Sequence, residues 1–264
     1  MSSIRVPARN DFGRGGGIDP VEAALRVELA AAYRLVVLFG WDDLLATHIS
    51  VRLPDQKSFL INPLGKLFEE LTPQDMVKVD LNGNILSETD WPVNSAGFLI
   101  HSAIHAARHD ATCAIHLHTP DGIAVSALEE GLLPLNQKSL VALRMAGGSI
   151  ASHDYEGIVA DPGEKERLVK DLGDRQLIFL RNHGTLSLGR SIGEAFVRIY
   201  YLEVACSVQV RTLGMGRPIH AVSPDVIRHM VEGGPAEVSE SPYDKLVWSA
   251  MLRKLDRIDP SWRG

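Results

Sequence analysis

The stretch Ala114-Ile115-His116-Leu117-His118 places two histidines two apart in an apolar segment, and 65 positions on, a second apolar run ends in Asn182-His183-Gly184. No other feature constrains the fold as strongly. Side chains at i and i+2 of a strand share a face, so an extended 114–118 turns His116 and His118 to one side. Burying both imidazoles without partners is costly, and a shared ligand removes that cost. With His183 they form a three-imidazole set with an open position, the ligand set of a catalytic zinc, which suits iron or manganese nearly as well. Thr119-Pro120 and Gly184 beside them would let backbone approach an ion closely. The free ring nitrogens call for outer partners that the sequence does not name.

Around these histidines the chain alternates strands and helices. Residues 1–18 read as a mobile arm ending in Gly15-Gly16-Gly17. Asp19-Pro20 opens a helix to about Phe39, with Asp as N-cap, Pro at the first position and Gly40 as left-handed cap. Strands are expected at 47–53, 58–61 and 76–80, the last turning through Asn82-Gly83 into Ile85-Leu86. A helix over about 95–108 precedes the histidine strand, and Thr119-Pro120-Asp121 caps the next helix. Then come a helix at 164–173, strands at 177–180 and 185–188, and a long helix from Ile192 to about Leu213. Ser223-Pro224 and Ser241-Pro242 open two more. This pattern predicts a mixed sheet covered by helices on both faces, not a purely parallel one.

Composition narrows the function classes. At 264 residues and 45% hydrophobic, the chain can bury one large core or two small ones, and no composition break divides it. A net charge of −6 argues against nucleic-acid or anionic-membrane partners. Cys113 and Cys206 lie in apolar segments and read as buried reduced thiols. No signal peptide is apparent, and no stretch approaches the ~20 apolar residues that span a bilayer. A soluble cytoplasmic protein is expected. Neither a Gly-x-Gly-x-x-Gly after a strand nor a lysine phosphate loop is present, so nucleotide binding gains no support.

Other polar positions are weaker pointers. His101 and His105 share a helix face, but the surrounding alanines favour packing histidines. His109 sits where an imidazolium would complement the helix C-terminus. Asn62-Pro63-Leu64-Gly65-Lys66 and Thr47-His48-Ile49-Ser50 are turn-like segments that could offer N–H groups to an anion.

The ordered series of motifs resembles the class II aldolase/adducin superfamily. It comprises Ile61-Asn62-Pro63-Leu64-Gly65, Glu70-Leu71-Thr72-Pro73, Val93-Asn94-Ser95-Ala96-Gly97, Ile104-His105-Ala106-Ala107-Arg108, His116-x-His118, His153-Asp154-Tyr155-Glu156-Gly157 and Asn182-His183-Gly184. The resemblance covers about residues 20–215 and is nearer the adducin-head branch than the sugar-phosphate aldolases. It implies a single three-layer α/β/α sandwich domain over 19–264, with a mixed, largely antiparallel sheet and a C-terminal helical extension from about 222. It also implies a homotetramer with sites at subunit interfaces and one divalent ion per subunit, zinc first, then manganese or iron. His116, His118 and His183 take the metal positions. Gly65 matches the turn beside the substrate phosphate in aldolases, Asn62 lies in the same loop, and Asn94-Ser95 fall where those enzymes use paired serines.

Three departures from the aldolase pattern bear on the reaction. Aldolases carry a glutamate after the serines, whereas no carboxylate occurs here between Val93 and His109, and Ala96 or Gly97 holds that position. His48 stands for an asparagine, and Gln137 for a tyrosine acid. Sugar-phosphate cleavage is therefore disfavoured. Tyr155, Glu156 and His48 are candidate replacement acids, although Tyr155-Glu156 also reads as a plain turn before Gly157. Three functions stay open. One is a metal-dependent lyase on a small hydroxy or keto carboxylate or related carbonyl compound, by retro-aldol cleavage or decarboxylation. The others are an iron oxygenase on the same site and an adducin-like binding module without turnover. Cytoskeletal binding is not expected, since the adducin tail regions have no counterpart before Gly264. The amphipathic stretch with Trp248, Leu252, Leu255 and Trp262 is expected to fold over the domain or a neighbouring subunit.

Overall fold

Asp19 opens the first helix as its chemistry suggests, its side chain accepting from the N–H groups of Val21 and Glu22. The structure, a computed structural model, describes residues 3–4, 18–157, 163–231 and 243–264. The glycine run at 15–17 and the Ser241-Pro242 helix start lie outside the described residues. In chain order the elements begin with β1 (Ser3–Ile4), α1 (Pro20–Leu38), β2 (His48–Arg52), β3 (Ser58–Ile61), β4 (Val77–Asp80) and β5 (Val93–Asn94). They continue with α2 (Ser95–Ala107), β6 (Cys113–Leu117), α3 (Pro120–Ser126), α4 (Gln137–Met145), β7 (Ala151–His153) and α5 (Glu164–Leu172). Then follow β8 (Leu177–Leu180), β9 (Gly184–Gly189), α6 (Ile192–Gly214), α7 (Pro224–Val231) and α8 (Tyr243–Ile258).

Among the described residues seven strands form one sheet in the order β4-β3-β2-β6-β9-β8-β7, and β1 pairs separately with β5. Every neighbouring pair in the seven-stranded sheet is antiparallel except β7 with β8. The sheet is thus mixed and largely antiparallel, as expected. Four elements carried no periodic signal, among them the two-residue β1, which lies in the segment expected to be a mobile arm but pairs with β5. β7 is three residues at the sheet edge, and α4 is short, although Asn136 caps it by accepting from the N–H groups of Lys138 and Ser139.

Both faces of the sheet are covered, and the strands are correspondingly buried on both. Cys113, Ile115 and Leu117 of β6 enter the larger apolar core with Ile49 and Val51 of β2 and residues of α1, α4, α6 and α8. Ala114 of β6 points the other way, into a smaller cluster with Leu99 and Ile104 of α2 and Leu168 and Leu172 of α5. Because the side-chain period is two, His116 lies on the α2–α5 face, as do His48 and Ser50, its cross-strand partner and that of Ala114. Cys113 and Cys206 are free and buried.

The C-terminus of α2 is capped by Arg52, whose guanidinium donates to the carbonyls of His105 (2.9 Å) and His109 (2.5 Å). The group fulfilling the role expected of His109 thus comes from a neighbouring strand. In α8, Trp248 and Leu255 pack into the larger core, so this stretch covers its own sheet layer. No helix among the described residues is long and apolar enough to cross a membrane.

Candidate metal centre

His116 comes from β6, His118 from just past its end, and His183 from the turn joining β8 to β9. That turn explains the Asn-His-Gly motif. Asn182 is left-handed (φ +56°), a conformation asparagine tolerates. Gly184 lies against the histidine strand, and a Cβ there would stand 2.2 Å from the Leu117 carbonyl oxygen. His183 sits between them. Ligand atoms of the three histidines lie within 4.8 Å of one another. The structure therefore brings together the three residues expected to share an ion.

Their hydrogen bonds fix the tautomers. His116 Nδ1 donates to the Thr185 carbonyl at 2.9 Å, and His118 Nδ1 faces Asp43 Oδ2 at 2.9 Å. The Nε2 atoms of the two rings are then 2.8 Å apart. With both Nδ1 protons committed, the Nε2 atoms of neutral rings bring two lone pairs face to face, which favours a shared cation. Burial, then the neighbouring His48, His118 and His183, holds His116 well below the usual imidazole range. Burial, then His118, depresses His183 to about 4. The donor set fits a divalent ion.

A second line of imidazoles runs beneath the triad. His48 Nδ1 is 2.8 Å from His101 Nε2, His101 Nδ1 meets Ser50 Oγ, and Ser50 Oγ is 2.7 Å from His105 Nε2. The line ends with His105 Nδ1 3.3 Å from the Ala111 carbonyl. A carbonyl only accepts, so His105 carries its proton on Nδ1, and each link back to His48 follows in the same direction. His48 is therefore left with a proton on Nδ1 and a lone pair on Nε2. Burial pushes His48 and His101 well down, helped by neighbouring histidines, and burial with Arg52 brings His105 to about 3. His101 and His105 are thus packed as expected. A Cβ at position 97 would lie 2.4 Å from His48 Cδ2. Glycine there and histidine at 48 are one steric unit.

On the opposite face Glu203 of α6 accepts from the hydroxyls of Thr119 and Thr185. It therefore ties the residue after His118 to the one whose carbonyl holds His116. Burial raises its carboxyl to about 7 despite these bonds. Asp43 and Glu203 lacked sequence signals because neither has a metal-like spacing; only the folded contacts identify them.

The other expected site residues fall into separate places. Asn62 is buried against the Tyr33 hydroxyl, 2.9 Å away, which also contacts Ile49. Gly65 has φ +126° and a Cβ there would meet Trp91 at 2.6 Å. Asn94 caps α2, accepting from the N–H groups of Ala96 and Gly97, and Ser95 begins the helix. Gln137 is exposed at the start of α4, which packs on α6 rather than beside the triad. Tyr155 is half-exposed, its ring 5.9 Å from that of His183. Glu156 is paired with Arg167.

Residues 27–210 match the description Class II Aldolase and Adducin N-terminal domain. The chain belongs to this family. It is 43% identical to an aldolase II superfamily protein from Pseudomonas syringae whose crystal structure superposes with a TM-score of 0.87, covering 94% of this chain and 98% of that one. An L-fuculose 1-phosphate aldolase structure from Glaciozyma antarctica PI12 superposes at 0.78 with 25% identity, over 96% of each chain. Alpha-adducin of Rattus norvegicus is 44% identical over 98% of this chain, which spans 37% of that protein. The family thus contains proteins named for aldolases and for adducins.

Proposed function

We propose that the chain is a divalent-metal-dependent carbon–carbon lyase, acting on a small hydroxy or keto carboxylate or a related carbonyl compound by retro-aldol cleavage or decarboxylation. The observation that carries this reading is the 2.8 Å approach of two Nε2 atoms whose rings have already committed their Nδ1 sides. His116, His118 and His183 would hold the ion, zinc first by donor type, with manganese or iron as alternatives. When bound, such an ion supplies a Lewis acid for a carbonyl oxygen. Thr185 and Asp43 orient the rings, and His48 adds a neutral acceptor at Nε2. Tyr155, whose ring is 5.9 Å from that of His183, would supply a proton, whereas Glu156 is paired with Arg167. Asn62 and Gly65 shape the loop, and Asn94 and Ser95 present the start of α2. In a homotetramer with sites between subunits, exposed Gln137 would serve a neighbouring site.

The similarity to an L-fuculose 1-phosphate aldolase supports carbon–carbon chemistry. Glycine at 97, closed over by His48, argues for a substrate outside the sugar phosphates. The 44% identity to alpha-adducin supports a second reading, a binding module without turnover. Elemental analysis of protein purified without chelators separates them. About one ion per chain, with turnover of a hydroxy- and keto-acid panel abolished on chelation, is expected. Substoichiometric metal would overturn the lyase reading in favour of the binding module.

A further inference from the structure

Beside the triad lies a cavity whose wall includes His183, His153, Tyr155 and Glu156 together with apolar side chains such as Leu99 and Leu168. Its space for water-sized molecules is about 50 Å³, above the roughly 10–15 Å³ that one water requires. His153 closes β7, opposite Leu180 of β8, and Arg181 donates to its carbonyl at 2.8 Å. The imidazole is buried, its side chain 6% exposed, and Nδ1 lies 2.7 Å from Asp171 Oδ2 on α5. The other nitrogen, Nε2, is buried and has no hydrogen-bond partner among the described residues. The carboxylate oxygen Glu156 Oε1 is 3.7 Å from it, too far for a hydrogen bond. One hydroxyl or water oxygen to the side of the pair, about 2.8 Å from each, would bridge the two groups.

A buried imidazole oriented by a carboxylate, with its second nitrogen unpaired beside a cavity, is the arrangement of a general base. It is also a costly one to maintain for packing alone, because a buried polar atom without a partner gives up its hydration with no hydrogen bond in exchange. Among the other buried histidines, His101 and His105 have partners at both ring nitrogens, and His48 keeps a bare Nε2 but is oriented by another imidazole, not by a carboxylate. His153 differs in offering its free nitrogen to the cavity that it shares with His183.

We propose that His153, held by Asp171, is the group that takes the proton from a hydroxyl of a small hydroxy-carbonyl substrate in this cavity; the assignment rests on the lyase reading and selects its retro-aldol form. The hydroxyl O–H donates to His153 Nε2. As that proton transfers, the oxygen forms the new carbonyl, and the bond from the hydroxyl-bearing carbon to the carbon next to the existing carbonyl breaks. The electron pair of that bond passes to the carbonyl-bearing fragment, which afterwards takes one proton to give the second product. Atoms and electrons balance with no oxidant. The imidazolium is stabilised by Asp171 and faced by Glu156, whose own charge is balanced by Arg167.

The test is two-bond ¹H–¹⁵N spectroscopy of the histidine-labelled full chain, metal-free and zinc-loaded, with 3-hydroxybutanal, 4-hydroxy-2-butanone and 3-hydroxybutyrate as probes and acetone as the control lacking a hydroxyl. His153 is expected to carry its proton on Nδ1, and its Nε2 resonance is expected to move upfield with at least one hydroxylated probe but not with acetone. Asp171→Asn is expected to redistribute the proton between the two nitrogens while leaving the other histidine tautomers in place. Protonation on Nε2 with Nδ1 free, or an Nε2 signal unmoved by all three hydroxylated probes, overturns the proposal. If the chain binds zinc and turns over but His153→Gln and Asp171→Asn both keep the rate within twofold, the proposal fails while the lyase reading stands. If zinc does not bind yet the hydroxylated probes still move His153 Nε2, the lyase reading fails and hydroxyl recognition by His153 survives it.

Discussion

The two faces of the central sheet meet at β6 and solve opposite problems. On the α1–α6 face, Cys113, Ile115 and Leu117 enter a broad apolar core, with Glu203 as a buried carboxylate held by two threonines. On the α2–α5 face the same strand presents Ala114 and His116, and β2 adds His48 and Ser50 beside them. Imidazoles there sit beside a smaller apolar cluster, and they are kept neutral by burial and by a directed line of hydrogen bonds. One face pays for folding by excluding water. The other uses that exclusion to hold imidazoles as unprotonated donors, which is the state a metal requires.

Breaking the polar face at its centre should have the largest effect. His116→Ala removes one of three nitrogen donors, and stoichiometric zinc should fall to trace levels by elemental analysis. Asp43→Asn should weaken zinc affinity by about 10–100-fold, the usual cost of losing an outer partner, with the fold intact by circular dichroism. Equal zinc uptake by both variants and the unaltered chain would remove the assigned centre.

The next contrast is in pH. His105 is pushed down to about 3, so between 6.5 and 3 the unfolded chain binds a proton that the folded chain refuses. Its contribution is present above 6.5 and is lost as pH falls through 3, up to about 5 kcal/mol. Glu203 runs the other way. Its carboxyl is raised from 4.5 to about 7, so the folded chain holds a proton that the unfolded chain releases, and stability falls as pH rises across that window. With several depressed histidines against two carboxyls raised by burial among the described residues, Glu203 and Glu28, acid should destabilise the metal-free protein overall. Glu203→Gln should steepen that loss by about 3 kcal/mol between pH 7 and 4.5, read by urea denaturation. An unchanged slope would mean that Glu203 is not buried as described.

Much of this was legible in the sequence, and the reasons differ by element. The caps at Asp19, Thr119 and the Asn82-Gly83 turn are local signals, and the fold uses them as written. The i, i+2 histidine spacing survives because strand alternation is rigid. Asp43 lies after α1 with no periodic context, yet folding puts it on His118. His153 lies in a three-residue edge strand, and its partner Asp171 comes from the next helix, 18 positions on. Asn62 reads as a loop ligand in sequence, but the Tyr33 hydroxyl claims it from a helix 29 residues earlier. Local chemistry is visible along the chain, whereas pairings that depend on which layers meet are not.

The smallest effect, and the finest division between the two faces, concerns Gly97. On the apolar face a glycine-to-alanine change in a helix commonly stabilises, because alanine is the better helix former by about 1 kcal/mol. At Gly97 of α2 the added Cβ would come within 2.4 Å of the His48 ring. His48 cannot swing away freely, since its Nδ1 is bonded to His101 at 2.8 Å. Gly97→Ala should therefore destabilise by about 1–3 kcal/mol, the usual cost of overpacking, instead of stabilising. Shortening the neighbour should cancel the clash, so Gly97→Ala in a His48→Ala background should be neutral or mildly stabilising. The difference between the two backgrounds, measured by urea denaturation as a double-mutant cycle, reads the coupling directly. Additive effects would show that His48 and Gly97 are independent, and the steric explanation for the missing side chain at 97 would fall with them.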